Sequence, residues 1–284
     1  MAAYLQPETL DEAIGHLGDP GLRIAAGCTD LFAATDRQVL AGSVLDLTRV
    51  AELRGVTTAG DEAGGGWRIG AATTWTDIVR ADLPPAFDML KQAAREVGSI
   101  QIQNAGTVAG NLCNASPAAD GVPPLLALDA VVEIAGPDGR REMPLADFIV
   151  GPRLTALRAA EMVTALRIPA AAGAGLSGFS KLGARRYLVI SIAMVAARIE
   201  LAEGRIARAA IAVGACSPVA RRLATLEDAL RDCPLSDLPG AVTPDRVGAD
   251  LAPIDDVRAT AAYRVEVASE IVARLLADIT ETRP

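Results

Sequence analysis

The chain has 284 residues, which suits two domains with a substantial buried core. Hydrophobic residues make up 51% of it but aromatic residues only 3%, so we expect a core built mainly from Ala, Val, Leu and Ile. The formal net charge of −8 argues against a nucleic-acid surface or an anionic-membrane surface over the whole molecule.

The sequence carries no signal for membrane insertion or secretion. Its longest apolar run, Tyr187 to Ala197, is too short to span a bilayer. The first residues lack a basic segment followed by an apolar segment, which a secretory signal would need. We therefore expect a cytoplasmic protein with no membrane span.

Cysteine and histidine are too sparse to indicate a metal site. The cysteines lie far apart at Cys28, Cys113, Cys216 and Cys233 and form no C-x-x-C pair, so neither zinc nor iron-sulfur ligation is indicated. The only histidine, His16, lies among apolar residues at helical spacing, which favours a surface helix position over catalysis. We expect no metal site and no histidine-based catalytic triad in this chain.

The first half of the chain alternates between helix and strand signals. Thr9 and Glu12 form a T-x-x-E capping box, which predicts a helix that begins after Thr9 and ends near Gly18. Composition and periodicity then predict strands at 22–27, 43–48 and 67–74, and helices at 31–40 and 85–97.

The second half contains a predicted domain boundary at Pro169 to Gly175, where Pro, Ala and Gly cluster. We predict strands at 125–136 and 161–169 before it, strands within 178–201 and 205–215 after it, and helices at 220–230 and 255–279. The part after the boundary is interpreted as a separate small α+β domain.

The boundary includes the one G-x-G-x-x-G match, Gly173 to Gly178. A dinucleotide fingerprint leaves a strand directly and enters a helix, whereas Pro169 and an Ala-rich spacer intervene here. We interpret this match as a linker.

Two turns rich in small residues, Ala25 to Leu31 and Gly106 to Asp120, each follow regular structure. Backbone N–H groups in such turns can converge on a pyrophosphate without any Lys or Arg, which would suit an acidic protein. The alternative is that Gly27, Gly106 and Gly110 only allow tight turns.

Two charged positions also allow two interpretations. The Asp120 carboxylate could accept hydrogen bonds from a ribose or a ring, or it could cap the following segment. Lys181, with Arg185 and Arg186, could cover an anionic cofactor or could simply be solvated.

Four ordered motifs together resemble the FAD-binding subunit of the molybdenum hydroxylases, the xanthine dehydrogenase, aldehyde oxidase and carbon monoxide dehydrogenase family. They are AAGCTDL, ATTWTDI, NAGTVAGNLCNASPAAD and GFSKLGARRYLVISIAMVAARI, which together extend over nearly the whole chain. The resemblance implies an α+β fold with a two-subdomain FAD-binding domain of the vanillyl-alcohol-oxidase (PCMH) type. The implied domains are 1–172, with subdomains of about 1–53 and 54–172, and a small C-terminal α+β domain at 176–280.

The resemblance also implies which residues bind FAD, non-covalently. The residues implied for the pyrophosphate are Ala26, Gly27, Cys28, Thr29, Asp30, Leu31, Thr107, Gly110 and Asn111. Ser116 and Asp120 would contact the ribityl or ribose region, and Lys181 would reach towards the flavin with Ile168 nearby. No residue of this chain is implied to be catalytic.

The sequence departs from the family pattern at several motif positions. Cys28 stands in place of a Gly, Ala109 replaces the first Gly of a Gly-Gly pair, Trp75 replaces a His, and Gln103 stands where Arg is common. The first two add a side chain where backbone and phosphate would meet, so we expect a tighter or displaced loop.

The implied function is electron transfer within a complex. A small subunit with [2Fe–2S] clusters and a large subunit with the molybdenum cofactor would be the partners, as a dimer of heterotrimers. The FAD would pass electrons on to NAD⁺, oxygen or a quinone. The alternatives are a free-standing FAD-dependent oxidoreductase with its own substrate pocket and a non-catalytic nucleotide-binding scaffold.

Overall fold

The computed structural model describes residues 3–35, 41–58 and 65–281. The first part of the chain contains two sheets. A parallel three-stranded sheet has the order β1-β3-β2 and consists of β1 (Tyr4–Leu5), β2 (Arg23–Ala25) and β3 (Val44–Asp46). An antiparallel five-stranded sheet has the order β4-β5-β10-β6-β7 and consists of β4 (Val56–Thr58), β5 (Trp67–Gly70), β6 (Val131–Gly136), β7 (Gly139–Pro144) and β10 (Met162–Ile168).

Helices and one small hairpin surround these sheets. The helices are α1 (Leu10–His16), α2 (Trp75–Arg80), α3 (Asp88–Glu96), α4 (Ile100–Ala105), α5 (Val108–Asn114), α6 (Val122–Ala127) and α7 (Leu145–Phe148). The hairpin pairs β8 (Ile149–Gly151) with β9 (Leu154–Thr155). The predicted capping box is confirmed, because the Thr9 hydroxyl accepts from the Glu12 N–H and the Glu12 carboxylate accepts from the Thr9 N–H.

The C-terminal part is an antiparallel sheet covered by helices. Its strands are β11 (Leu176–Leu182), β12 (Ala193–Ala202), β13 (Arg205–Gly214), β14 (Arg221–Arg222) and β15 (Cys233–Pro234). Its helices are α8 (Ala224–Leu230), α9 (Leu238–Ala241), α10 (Pro244–Gly248) and α11 (Ala261–Glu281). The α+β class is therefore confirmed, with sheets and helices in both parts.

The C-terminal sheet forms a wall between two cores. Every residue of β12 from Ala193 to Ile199 is buried. Ala196 and Ala212 belong to the core of the first part, whereas the alternate residues Val195 and Val213 belong to the core under α11. Since Ala has a small side chain, the Ala face lets the helices of the first part approach the sheet closely.

Charged groups also cross from the first part to the C-terminal sheet. Asp129, just after α6, lies within ion-pair distance of three guanidinium groups, at 3.5 Å from Arg198, 3.1 Å from Arg208 and 2.7 Å from Arg222. Arg198 is fully buried, so its contacts with Asp129 and Glu200 compensate the cost of removing its charge from water.

Two predicted elements differ from the structure. The described part of the helix expected at 31–40, residues 31–35, forms turns, and residues 36–40 lie outside the described residues. The strand expected from 125 is helix α6 at first, and β6 begins only at Val131. The six residues of α6 are all buried, and a short, wholly apolar run has no periodicity that separates a helix from a strand.

Two other predictions were right in kind but wrong at their ends. The helix expected from Ala220 begins at Ala224, because Arg221 and Arg222 pair with β13 as a strand. The helix expected from Asp255 begins at Ala261. The residues after Gly173 enter strand β11 rather than a helix, which is incompatible with a dinucleotide fingerprint at this position.

Candidate functional site

A cavity of about 460 Å³ lies where the turn after β2 meets helix α5. A cavity of this size can hold a large part of a nucleotide-sized ligand. Nine of the site residues predicted from the sequence line it: Ala26, Gly27, Cys28, Thr29, Asp30, Leu31, Thr107, Gly110 and Asn111. The first predicted turn and the start of the second, which is mostly helix α5 rather than a turn, therefore form one site although they are distant in sequence.

The turn from Gly27 to Leu31 offers a row of unpaired backbone donors. Among the described residues, none of its backbone N–H groups donates a hydrogen bond to another protein atom. Cys28 has a left-handed backbone with φ of 58°, a conformation found where successive N–H groups form an anion-binding concavity. Gly27 has no room for a side chain, because a Cβ there would collide with the carbonyl group of Ala105.

The start of helix α5 differs from this turn, because protein atoms already use its N–H groups. The Ala109 N–H donates to the carbonyl oxygen of Ala71 at 3.2 Å. The Gly110 N–H donates to the hydroxyl of Thr107 at 3.1 Å, which caps the helix. The turn after β2 thus supplies free backbone donors to the cavity, and α5 supplies side chains.

Asn111 presents an unsatisfied acceptor in this site. Its side-chain oxygen Oδ1 is buried and has no hydrogen-bond partner in the structure. A buried polar atom without a partner costs free energy, so this oxygen is available to accept a hydrogen bond from a donor that enters the site. A Cβ at Gly121 would lie 3.0 Å from this oxygen and would collide with the indole of Trp75.

Apolar groups make up much of the remaining cavity wall, and some of them were missed at the sequence level. Met162 and Val163 of β10 line the cavity, although their sequence context indicates only a buried strand. Trp75 lines it too and is fully buried, and its only sequence signal is its place in the second motif. Among the described lining residues only Asp30 carries a charge, so the site would bind an anion through N–H groups rather than cations.

The other four predicted site residues do not line this cavity. Ile168 is buried in β10 opposite Trp67. The Ser116 hydroxyl accepts from the Ala118 N–H within its own turn. Lys181 lines a second cavity of about 520 Å³. Asp120 forms an ion pair with Lys181.

Asp120 and Lys181 join the loop after α5 to the C-terminal sheet. The Lys181 ammonium donates to Asp120 Oδ2 at 3.0 Å, and the Ser191 hydroxyl donates to Asp120 Oδ1 at 3.0 Å. Burial raises the pKa of Asp120 above its ordinary value, although Lys181 and the Ser191 hydroxyl oppose that shift. Since both carboxylate oxygens have protein partners, Asp120 ties the two parts of the chain together.

Neither metal ligation nor membrane insertion is indicated by the described ranges. No group of three or more His, Cys, Asp or Glu side chains there could hold a metal ion. No helix in those ranges is long and apolar enough to cross a membrane.

Two sequence families match this chain. The FAD binding domain in molybdopterin dehydrogenase matches residues 1–171, and the CO dehydrogenase flavoprotein C-terminal domain matches residues 179–279. The xanthine dehydrogenase FAD-binding subunit of Escherichia coli O157:H7 is 30% identical over 285 residues, which cover 98% of this chain and 96% of that subunit. The nicotine 6-hydroxylase medium subunit of Paenarthrobacter nicotinovorans is 30% identical over 279 residues, which cover 97% and 96% respectively.

Solved structures show the same arrangement along the whole chain. Carbon monoxide dehydrogenase from Hydrogenophaga pseudoflava, in a form that lacks the Mo-pyranopterin moiety, superposes with a TM-score of 0.86 at 26% identity over 99% of this chain and 97% of that one. Quinoline 2-oxidoreductase from Pseudomonas putida 86 gives a TM-score of 0.86 at 26% identity, with 99% and 97% coverage.

Proposed function

This chain belongs to the family of FAD-binding subunits of the molybdenum hydroxylases, and from that membership we propose that it is the electron-transfer subunit of a multi-subunit complex. It is an FAD-containing oxidoreductase subunit, as its relatives are. In the proposed role it receives electrons from [2Fe–2S] clusters of a partner subunit and passes them to an external acceptor.

The observation that carries this proposal is the donor and acceptor pattern of the 460 Å³ cavity. The unpaired N–H groups of the turn from Gly27 to Leu31 suit a pyrophosphate, which accepts hydrogen bonds only. The unpartnered Asn111 Oδ1 suits the hydroxyl groups of a ribose or ribityl chain, which can donate. The residues present therefore fit FAD without any basic side chain.

The roles of individual residues follow from these contacts. We assign the turn from Gly27 to Leu31 to the pyrophosphate and the Asn111 side chain to a hydroxyl of the cofactor. Thr107 caps α5 and thereby holds Asn111 in the wall. Asp120 and Lys181 act indirectly, because they hold the C-terminal sheet against the loop that leads from α5 to α6.

The cofactor supplies the redox chemistry, since bound FAD can accept electrons singly and release them in pairs. The chain contributes binding, orientation and exclusion of water. Met162, Val163 and Trp75 give the cavity apolar walls. No acid or base of this chain is required for electron transfer.

The proposed partners are a small iron-sulfur subunit and a large subunit with the molybdenum cofactor, in a dimer of heterotrimers. The relatives named as medium subunits or medium chains support a complex of subunits of different sizes. The proposed domain division is 1–172 and 176–280. It is supported by the change of sheet between Ile168, which ends β10, and Leu176, which begins β11.

Native purification from cells that express the chain with its neighbouring subunits tests this function. We expect the chain to copurify with iron and molybdenum, and acid precipitation should release FAD into the supernatant. Flavin that stays with the pellet on Cys28 or Cys113, the two cysteines in the cavity wall, would contradict non-covalent binding. A monomeric flavoprotein without metal would favour the free-standing oxidoreductase.

A further inference from the structure

Arg264 is a buried cation that the proposed function leaves unexplained. It lies in α11 with 1% of its surface exposed. Its Nη2 donates to Asp256 Oδ1 at 2.7 Å, and its Nη1 donates to two backbone carbonyl oxygens, of Ile192 at 2.5 Å and of Ala215 at 2.8 Å. Burial of a guanidinium is costly, so three such contacts at one place indicate a specific task.

The two carbonyl groups belong to one end of the central strand pair. Ile192 immediately precedes β12 and Ala215 immediately follows β13, where the ladder between these strands ends. Carbonyl groups at such an end need other donors, and one guanidinium nitrogen serves both. Arg264 therefore fixes the spacing of the two chain segments that leave the sheet here.

These two segments touch the loop that follows α5. The Ala215 N–H donates to the Pro117 carbonyl oxygen at 3.0 Å. The hydroxyl of Ser191, the residue before Ile192, donates to Asp120 Oδ1 at 3.0 Å. Arg264 thus holds two of the C-terminal segments that anchor the loop 116–120, and Lys181 anchors it separately through Asp120 Oδ2.

The loop leads directly to the floor of the cofactor cavity. Gly121 follows Asp120 and lies against the Trp75 indole, and a Cβ at Gly121 would lie 3.0 Å from Asn111 Oδ1. A shift of the loop would therefore move the surface beside the unpartnered acceptor. The connection runs from α11 through two backbone contacts to the wall of the cavity.

We propose that Arg264 is a positioning residue for flavin binding, which fixes the loop 116–121 against Asn111 through Ile192 and Ala215. This inference rests on the proposed function, since it takes FAD as the ligand of the cavity. Arg264 is not among the residues that line the cavity, so its effect on the cofactor is transmitted through the Ser191–Asp120 and Ala215–Pro117 hydrogen bonds.

The test measures FAD affinity and local hydrogen exchange in Arg264→Met, with Arg274→Met as the matched control. Arg274 lies in the same helix but is exposed and pairs with Glu270. We expect Arg264→Met to weaken FAD binding about tenfold and to speed amide exchange in residues 116–121 and at Ala215. The control should leave both measurements unchanged.

A double-mutant cycle with Ser191→Ala separates positioning from general destabilisation. If Arg264 acts through the Ser191 segment, the double variant should lose less affinity than the product of the two single losses, by about threefold or more. If a folded Arg264→Met protein binds FAD as the wild type does, or if the losses multiply, the inference is wrong.

A second variant covers the case in which Arg264→Met does not fold. Arg264→Lys keeps the charge but cannot bridge two carbonyl oxygens and Asp256 together, so we expect a smaller loss of affinity with the same exchange pattern. If neither variant folds, Arg264 is purely structural and the inference is wrong. A wild-type chain that binds no FAD would instead contradict the proposed function.

Discussion

The substitution Asn111→Leu should stabilise the chain without cofactor and weaken its binding of FAD. Asn111 Oδ1 is buried without a partner, and an unsatisfied buried acceptor costs about 1–3 kcal/mol. Leu has a similar size and no polar atom, so we expect the free energy of unfolding to rise by about 1 kcal/mol in the absence of FAD. For a chain of this length that corresponds to a Tm increase of about 2–4 °C.

The same change removes the proposed hydrogen bond between Asn111 and the cofactor. A loss of about 1.4 kcal/mol lowers affinity tenfold, which is the expected order for one buried hydrogen bond. Thermal denaturation of the FAD-free protein and titration with FAD by flavin fluorescence measure the two effects separately. A gain in stability together with a loss of FAD affinity would identify Asn111 Oδ1 as an acceptor whose role is to bind the ligand.

Asn114→Leu is the matched control. Asn114 also lines the cavity, but its side-chain oxygen already accepts from Arg153. This variant should therefore gain no stability without FAD. If Asn111→Leu instead lowers stability and leaves FAD affinity unchanged, Asn111 is a structural residue and the assignment of the cavity wall is wrong.

Three further changes test other parts of the account. Cys28→Gly relieves a left-handed backbone conformation that costs a non-glycine residue about 1 kcal/mol. Gly also has more conformational entropy in the unfolded chain, so thermal denaturation should show a net gain in stability of about 0.5 kcal/mol. A loss of stability would refute the strain at Cys28. Asp120→Ala leaves the Lys181 ammonium buried without a carboxylate partner, so urea denaturation should show a stability loss of about 3 kcal/mol. Adding Lys181→Met to this variant should largely restore the stability. Equal stability of Asp120→Ala and wild type would refute the tie between the two parts of the chain. Arg141 donates two hydrogen bonds to Glu161 and holds the pKa of Glu161 at about 2, below its ordinary 4.5. The stability that this ion pair adds to the fold is therefore complete above pH 4.5 and is lost as the pH falls towards 2. Denaturation at several pH values should show about 3 kcal/mol of such dependence in the wild type and none from this pair in Glu161→Gln.

The sequence correctly predicted the elements that are determined by residues close to one another in the chain. The Thr9 capping box and the strand of β10 were predicted because a cap or an apolar β run is visible within a few residues. Helix α6 was missed because its burial on all sides depends on the C-terminal sheet, which is far away in sequence. Residues 31–35 form turns where a helix was expected, because apolar composition alone does not separate a helix from a series of turns.

The candidate site shows the same division. Glycines and small polar residues marked both turns of the cavity, and the resemblance supplied their pairing. The sequence could not show that the Ala71 carbonyl oxygen uses the Ala109 N–H of α5, because this bond depends on a tertiary contact. Nor could it show that Asp120 and Lys181 satisfy each other, which requires the C-terminal sheet to lie against the loop.

Anaerobic bleaching of the flavin tests whether electrons reach this chain only through a partner subunit. The flavin absorbance is recorded when the substrate of the molybdenum subunit is added to the native complex and, separately, to the isolated FAD-loaded chain. We predict that the flavin of the complex bleaches and that the flavin of the isolated chain does not, because electrons reach it only through a partner. Bleaching of the isolated chain by substrate would contradict the account and establish a free-standing oxidoreductase.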